Sequence, residues 1–268
     1  MPNVQVLDDD LGSGLEKYEI GRKISICDSE ITILECLSFS CKSSVFTGKY
    51  AKADVIVKFH QYEDSYLREI FAYTLLGGIG VPRLLLKDDN KYALVIPKYE
   101  NQASLKTKCD LSKIVKHLSL THEALSMSVN TLKMDSIIAF QLNKVNPSSD
   151  NEAFVFKTLK KIHADCHIPI AITDCKIEHF FLHNDELKRI DLETLAFGTW
   201  EGIDLISLIN LVQADGLSIY SHINEIIYLY LKMRERIESN EENVNLYKAM
   251  MDAYCMHFSG KRLHQVWS

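Results

Sequence analysis

The chain has 268 residues, which is enough for one large domain or two small ones. Its apolar share of 47% and its charged share of 25% are typical of globular domains and argue against a disordered chain or a membrane protein. The formal net charge of -6 at pH 7 argues against a general nucleic-acid-binding protein, because phosphate backbones are bound by clustered Lys and Arg.

The N-terminal sequence lacks the basic start and apolar run of a secretory signal, and no segment reaches the ~18 consecutive apolar residues of a spanning helix. The seven cysteines are odd in number, scattered and without CxxC spacing, so neither a disulfide framework nor a zinc site is indicated. Reduced thiols are typical of a cytosol. We therefore expect a cytoplasmic protein, in its own cell or as an effector in a host cell, with neither a nucleic-acid partner nor a membrane span.

The first part of the chain predicts strands around one helix. Residues 1–16 are acidic and contain glycine, and they predict a mobile lead-in. One helical segment, SYLREIFAYTLLGG, has apolar residues at helical spacing and ends at a pair of glycines. Strands are predicted on both sides of it by short apolar, β-branched runs between Ile31 and Tyr99, namely ITILECL, SSVFTGKY, DVIVKF and YALVIPKY.

The second part of the chain predicts helices. Beyond Asn101 the periodicity changes, and amphipathic helices are predicted around residues 110–142, 151–166, 201–214 and 220–258. A linker dense in turn residues, 143–151, separates two of them. A sheet-rich half therefore precedes a helix-rich half, which predicts an α+β fold.

Lys58 ends an apolar strand pattern that contains no carboxylate near it. Glu69 lies eleven residues further on, in the predicted helix, and a helix packed on this strand would return its carboxylate to the ammonium. Burial removes hydration from both charges, and this loss offsets much of the attraction between them. The presence of such a pair therefore indicates that it positions a ligand more than that it stabilises the fold. The alternative is two unrelated surface charges.

The segment SFSCKSSV, from Ser38 to Val45, joins two predicted strands through small residues. Such a loop lets backbone amides approach a phosphate, as glycine-rich loops do. The Cβ of serine disfavours positive φ, although its hydroxyl can donate a hydrogen bond instead. The alternative is an ordinary serine-rich hairpin.

The segment DCKIEH, from Asp174 to His179, is followed by an apolar run, a turn and then Asp191. This order predicts a loop, a strand, a turn and a second strand. Two acidic residues at the ends of a small hairpin can converge on one site, where one holds a divalent cation and the other faces a nucleophile. The alternative is that Asp174 and Asp191 only cap turns.

Taken in order, these segments resemble the protein-kinase-like superfamily from about Leu37 to Leu211. The resemblance implies a two-lobed α+β fold, with an N-lobe over residues 17–100 built from a small antiparallel sheet and one helix. Residues 101–268 would form a mainly helical C-lobe. It also implies that the chain binds ATP with Mg²⁺ in the cleft between the lobes.

The serine segment occupies the position of the superfamily's GxGxxGxV loop. Ser38, Ser40 and Ser43 then stand at the three glycine positions. The resemblance implies that they lie over the ATP phosphates and that Val45 covers the adenine.

VIVK resembles the superfamily's VAIK strand. The resemblance implies that Lys58 contacts the α- and β-phosphates and that Glu69 is its partner on the helix. YALVIPKYENQASL resembles the segment that links the lobes. Backbone groups there would meet the adenine edge, at Ile96, Pro97, Lys98 and Tyr99.

DCKIEH resembles the DLKPEN part of a kinase catalytic loop. The resemblance implies that Asp174 orients the acceptor hydroxyl and that Lys176 contacts the γ-phosphate. Asp191 stands at the DFG aspartate and would hold Mg²⁺. Asp204, in GIDLISL, would have the structural task of bracing the catalytic loop.

His179 departs from the superfamily's pattern, because asparagine normally holds the second cation at this position. Magnesium prefers oxygen ligands, so an imidazole here favours Mn²⁺ or a mechanism with one metal ion. The alternative is a packed or hydrogen-bonded histidine. Further departures are Ile172-Thr173 in place of His-Arg and Leu192-Glu193 in place of Phe-Gly.

The resemblance implies an ATP-dependent phosphotransferase with a hydroxyl acceptor. A lysine two residues after the catalytic aspartate, here Lys176 after Asp174, resembles the Ser/Thr protein kinases and favours a protein acceptor. Only twelve residues separate Asp191 from Asp204. So short a segment instead resembles small-molecule, lipopolysaccharide, aminoglycoside-type and minimal effector-type kinases. A small-molecule kinase is therefore one alternative. A pseudokinase that acts as a scaffold is another, because of the missing glycines and His179.

Overall fold

A computed structural model describes residues 20–104, 108–125, 127–128, 167–168, 170–172, 175–197, 202, 204–205, 223–234 and 238–259. The chain divides into two compact units. The first unit comprises Met1–Ile70 and Arg83–Lys98, and the second comprises Phe71–Pro82 and Tyr99–Ser268. Within the described ranges, every helix is too short or too polar to cross a lipid bilayer.

The first unit is built on a six-stranded antiparallel sheet with the strand order β1-β2-β3-β4-β6-β5. Helix α1 spans Glu63–Leu76 and follows the fourth strand; the division between the units falls within it. The strands are β1 Lys23–Ile26, β2 Ser29–Phe39, β3 Ser43–Tyr50, β4 Ala53–His60, β5 Leu86–Asp88 and β6 Ala93–Pro97.

The four predicted strands and the predicted helix are present. Strands β1 and β5 were not predicted, because β5 has only three residues and both carry charged or polar side chains. Both are fixed by pairing with longer neighbours, β1 with β2 and β5 with β6. A short polar strand of this kind depends on its partner strand more than on its own sequence.

The two faces of the sheet differ in their side chains. One face carries the apolar core of the first unit: Ile26, Ile31, Ile33, Phe46, Val55, Val57, Phe59, Ala93 and Val95. Because side chains alternate along a strand, Ile56, Lys58 and His60 lie on the opposite face of β4. This second face therefore carries Lys58, the lysine that the sequence predicts to bind phosphates.

The second unit has helices α2 (Lys108–Leu125), α3 (Ile223–Lys232) and α4 (Glu241–Ser259), with α2 packed on α3 and α3 on α4. Gly202, Asp204 and Leu205 are also helical. Short antiparallel strand pairs accompany these helices: β7 Met127–Ser128 with β8 His167–Ile168, β9 Ile170–Ile172 with β12 Leu195–Phe197, and β10 Phe180–His183 with β11 Glu186–Arg189.

Two helix predictions are corrected. The helix predicted over 110–142 ends at Leu125, and residues 127–128 instead pair with 167–168 as strands. The segment 220–258 forms two helices, because the side chain of Asn240 accepts a hydrogen bond from the backbone N–H of Asn243 (2.9 Å) and so caps the start of α4. The predicted helix 151–166 and the linker 143–151 lie outside the described residues.

Gly80 joins three parts of the second unit. Its carbonyl accepts hydrogen bonds from the Arg189 N–H (2.8 Å) and from His117 Nε2 (2.5 Å). Its φ is +64°, and an added Cβ would lie 2.6 Å from Thr121 Cγ2, so only glycine fits. Burial lowers the pKa of His117 to about 4 in spite of the bond to Gly80, so the ring is a neutral donor at neutral pH.

Candidate active site

Lys58 and Glu69 form a buried ion pair in the first unit. The ammonium Nζ lies 2.9 Å from Glu69 Oε2, and the two side chains are only 9% and 1% exposed. Lys58 comes from β4, and Glu69 comes from the buried face of α1 together with Tyr66 and Ile70. The structure therefore brings together two residues that the sequence placed on different elements.

His60 is a third member of this cluster, and the sequence reasoning missed it. Its Nε2 lies 2.9 Å from the same oxygen of Glu69, and its side chain is fully buried. The available signal was the strand period of two, because a residue two positions after Lys58 must lie on the same face of β4. A histidine there can reach the same carboxylate.

The cluster keeps Glu69 ionised. Burial by itself disfavours the charged carboxylate, but the charge of Lys58 and the hydrogen bond from His60 outweigh it and lower the pKa of Glu69 to about 2. Glu69 is thus a fixed negative charge at any physiological pH. Its charge can neutralise that of Lys58.

This low pKa predicts a pH-dependent difference in stability between the wild type and Glu69→Gln. The ion pair contributes fully above the unfolded pKa of about 4.5, and its contribution falls as the pH drops towards about 2. We expect the difference in unfolding free energy between the two proteins to be about 2 kcal/mol smaller at pH 3 than at pH 6. Urea unfolding at both pH values measures it. A difference that does not change with pH would contradict the ion pair.

The serine loop folds without the backbone geometry of a glycine-rich loop. Residues 38–45 are all described, and none of them has positive φ. The hydroxyl of Ser40 accepts hydrogen bonds from the backbone N–H groups of Lys42 (3.2 Å) and Ser43 (3.1 Å). The serines are therefore unstrained, but two of the loop amides already have an acceptor, which a phosphate would have to displace.

The strand register places most of the predicted nucleotide-binding side chains of this unit on one face. Val45 lies opposite Lys58 in the sheet, and Ser38 lies opposite Val45. Ser43 lies opposite His60, and Ile96 opposite Ile56. Because opposite residues of antiparallel strands point to the same side, all of them share the face of Lys58.

The predicted linking segment continues from β6. Pro97 ends that strand, and the Lys98 N–H donates to the Asp54 carbonyl at 3.1 Å. Tyr99 is the first residue of this segment in the second unit, where its ring lies against His183 at 4.6 Å between centroids. The Lys98 amide is thus occupied within the first unit.

Asp191 and His179 come together in the second unit. The imidazole Nε2 lies 3.3 Å from Asp191 Oδ2, with His179 buried and Asp191 32% exposed at the side chain. The Ile190 N–H donates to the His179 carbonyl (2.9 Å), which fixes this approach. Asp191 has a φ of +60°, a strained conformation for a non-glycine residue that tends to be retained at functional sites.

The pair fits a shared divalent cation. Neighbouring ligands on an octahedral cation with bonds of 2.0–2.1 Å lie about 3 Å apart, close to the observed separation. An imidazole suits Mn²⁺ better than Mg²⁺. The same distance also fits a hydrogen bond from the imidazole to the carboxylate, which is the alternative of a hydrogen-bonded histidine.

The other two predicted catalytic-loop residues are Asp174 and Lys176. Asp174 lies outside the described residues. Lys176 directly precedes a 3₁₀ turn over Ile177–His179, and its carbonyl accepts a hydrogen bond from the His179 N–H (3.1 Å). The segment that carries Lys176 is therefore tied to the histidine beside Asp191.

Asp204 is fully buried, and its carboxylate contacts the side chains of His122 and Arg189 in the second unit. Its Oδ2 lies 2.8 Å from His122 Nε2 and 3.3 Å from Arg189 NH1. Arg189 in turn donates from NH2 to the carbonyl of Ile172 (2.8 Å), two residues before Asp174. Through Arg189, Asp204 fixes the chain that leads into the predicted catalytic loop.

No family model and no curated protein matches this sequence. Among solved structures, the chain is similar to an ethanolamine kinase from Plasmodium vivax, with 11% identity, a TM-score of 0.52 and coverage of 94% of this chain and 86% of that one. A choline kinase from Cryptosporidium parvum matches with 10% identity, a TM-score of 0.53 and coverage of 84% and 80%. An aminoglycoside phosphotransferase from Streptomyces rimosus matches with 12% identity, a TM-score of 0.43 and coverage of 94% and 99%.

The ethanolamine kinase and choline kinase matches, both with TM-scores above 0.5, show that the chain has the protein-kinase-like fold. The predicted fold class is confirmed: an antiparallel sheet with one helix, followed by a mainly helical part. At identities of 10–11% the likeness concerns the fold alone.

Proposed function

We propose that this chain is an ATP-dependent phosphotransferase whose acceptor is a hydroxyl group of a small molecule. The observation that carries the proposal is the buried Lys58–Glu69 pair (2.9 Å) in a protein-kinase-like fold. Burying two charges is costly and is weak evidence for stability, so a buried pair at this position is best explained by a task, here the binding of phosphates.

A small-molecule acceptor replaces the protein hydroxyl that Lys176 favoured. Two solved structures with TM-scores above 0.5 are named as an ethanolamine kinase and a choline kinase, which supports the small-molecule alternative better than a Ser/Thr protein kinase. The twelve residues between Asp191 and Asp204 leave little chain for docking a peptide. We therefore propose that the acceptor is a small alcohol. The first candidates to test are alcohols that carry a free amino group or a quaternary ammonium group.

The roles of the first unit follow from its shared face. Lys58 would contact the α- and β-phosphates, and Glu69 would hold it there. Val45 and Ile96, on the same face, would pack against the adenine. The same proposal assigns the loop to the phosphates and the linking backbone to the adenine edge: Ser38, Ser40, Ser43, Pro97, Lys98 and Tyr99.

The roles of the second unit concern the cation and the acceptor. Asp191 would hold Mg²⁺, with His179 as a second ligand for Mg²⁺ or Mn²⁺. The cation would neutralise charge on the phosphates. Asp174 would orient the acceptor hydroxyl and take up its proton, and Lys176 would contact the γ-phosphate.

A thermal-shift titration with ATP and either Mg²⁺ or Mn²⁺ is the first test. At 100 times the dissociation constant a ligand adds about 2.7 kcal/mol, which corresponds to a rise in Tm of about 5–10 °C for a chain of this size. We expect a weak affinity, because Ser40 already occupies two loop amides. Absence of a shift with either cation would instead support a pseudokinase scaffold.

The acceptor is tested with γ-labelled ATP. Choline, ethanolamine, an aminoglycoside and a cell lysate are offered in parallel, and the products are identified by mass spectrometry. Label in a small molecule supports the proposal. Label found only in lysate proteins would restore the protein-kinase alternative.

His179→Asn is expected to keep the activity with Mg²⁺ or to raise it, because asparagine offers the oxygen that this cation prefers. Turnover with Mg²⁺ and with Mn²⁺ is compared for both proteins. The ratio of the two rates should move towards Mg²⁺ in the variant. Loss of activity with both cations would show that the imidazole itself has a specific role.

The proposal includes a reducing, cytoplasmic location. Cys27, Cys36 and Cys41 are exposed thiols in the first unit. Exposed thiols of this kind persist in reducing compartments. Thiol labelling of the protein taken directly from cells is expected to modify all three.

A further inference from the structure

We infer that His60 is a positioning residue that anchors Glu69 to strand β4, so that the carboxylate stays in place when Lys58 engages the phosphates. The inference rests on the proposed function, because Lys58 is taken as the phosphate-binding residue. Its structural part, the double anchoring of Glu69, can be tested without any nucleotide.

The geometry makes one carboxylate oxygen the common partner of both side chains. Lys58 Nζ and His60 Nε2 each lie 2.9 Å from Glu69 Oε2. The side chains of His60 and Glu69 are 0% and 1% exposed, so water has little access to this carboxylate. Whatever compensates its charge must come from the protein.

The ring of His60 is itself held by helix α1. It packs edge-on against Tyr66, with centroids 6.0 Å apart and planes at 63°. Tyr66 in turn donates its hydroxyl to Asp89 Oδ1 at 2.6 Å. Tyr66 and Glu69 are three residues apart and therefore lie on one face of α1. The helix is thus fixed at two points of the first unit, at His60 in β4 and at Asp89 just after β5, and neither contact needs Lys58.

The consequence appears when Lys58 binds a phosphate. In a pair of two residues, a shift of the ammonium towards the ligand would leave a buried carboxylate without compensation, and this cost would oppose binding. His60 Nε2 still lies 2.9 Å from the same oxygen and keeps a polar partner beside it. The carboxylate then does not have to retain Lys58, and Lys58 can share its charge with the ligand at a lower cost.

His60→Gln and His60→Asn form a matched pair of test variants. The glutamine amide nitrogen can occupy the position of Nε2 and donate to Glu69, whereas the shorter asparagine places its nitrogen near Nδ1. We expect the Kd for Mg-ATP to rise about tenfold in His60→Asn and by less than about threefold in His60→Gln. His117→Asn, which moves the donor nitrogen of a buried histidine of the second unit away from the Gly80 carbonyl, should lower the Tm and leave the Kd unchanged.

A double-mutant cycle tests the anchoring without nucleotide. Lys58→Met and His60→Asn each remove one of the two described partners of Glu69, and the double variant removes both. The Tm loss of the double variant should therefore exceed the sum of the single losses by several degrees. This cycle is read from thermal unfolding of the proteins alone.

The two readouts separate this inference from the proposed function. Additive Tm losses, or a Kd for His60→Asn equal to that of the wild type, would overturn the role of His60. If the wild type binds no Mg-ATP while the cycle is non-additive, the proposed function fails and the anchoring of Glu69 by His60 stands. Equal Kd increases in the glutamine and asparagine variants would show that the ring, and not its N–H donor, is what matters, and would also overturn the inference.

Discussion

Asp191→Asn is expected to lose cation-dependent nucleotide binding and turnover together, whereas Asp174→Asn should bind nucleotide almost normally and lose turnover by about 10²- to 10⁴-fold. The first change removes a charged cation ligand. The second removes the group that positions the acceptor hydroxyl. The effects differ because one residue acts on the nucleotide and the other on the acceptor.

The structure makes Asp191→Asn a clean substitution. Asp191 has a φ of +60°, a conformation that asparagine adopts as readily as aspartate, so the backbone need not move. Asp185→Asn is a matched control, since Asp185 has a φ of +63° in the exposed turn between β10 and β11. The control should leave both binding and turnover unchanged.

These variants are measured by calorimetric titration of ATP with each cation and by turnover with the best acceptor. If Asp191→Asn binds Mg-ATP as the wild type does, Asp191 is not the cation ligand. If Asp174→Asn keeps full turnover, the assignment of the catalytic loop is wrong. Unfolding of either variant would instead favour the alternative that these residues cap turns.

Arg189→Met is expected to destabilise the protein by about 3–5 kcal/mol, the usual cost of breaking a buried ion pair. Arg189 is 1% exposed, and its guanidinium serves both Asp204 (3.3 Å) and the Ile172 carbonyl (2.8 Å). Without it the buried carboxylate of Asp204 keeps His122 as its described partner, and the carbonyl loses a donor. For a chain of this size the loss corresponds to a fall in Tm of about 10 °C or more.

Arg68→Met is the control for removing an arginine. Arg68 pairs with Asp64 on the exposed surface of α1, and such pairs contribute about 0.3–0.5 kcal/mol. Its Tm should stay within about 2 °C of the wild type. Similar shifts for both variants in thermal unfolding would mean that the Arg189–Asp204 pair contributes no more than a surface pair.

The sequence alone determined the order of the elements and the position of the lysine. The β-branched residues of DVIVKF and SSVFTGKY are a local signal, and both segments are strands in the structure. The helix that carries Glu69 was also visible in its own periodicity and in its terminal glycines. Such patterns predict strands and helices correctly because they depend only on residues a few positions apart in the sequence.

The same local reasoning failed where pairing with a distant segment decides the structure. The helical pattern beyond Leu125 is overridden at Met127–Ser128 by pairing with a strand some forty residues away in the sequence. Strands β1 and β5 exist because a longer neighbour supplies their hydrogen bonds. Periodicity within a segment carries no information about such partners.

Only the tertiary structure decided which polar residues share a site. His60 reaches Glu69 because α1 packs on the face of β4 that carries Lys58. Arg189 and His122 meet Asp204 from elements 15 and 82 residues away. A buried charge must find its compensation somewhere, but the sequence does not say where, because the choice depends on which elements pack together and on the few ångströms that separate a hydrogen bond from none.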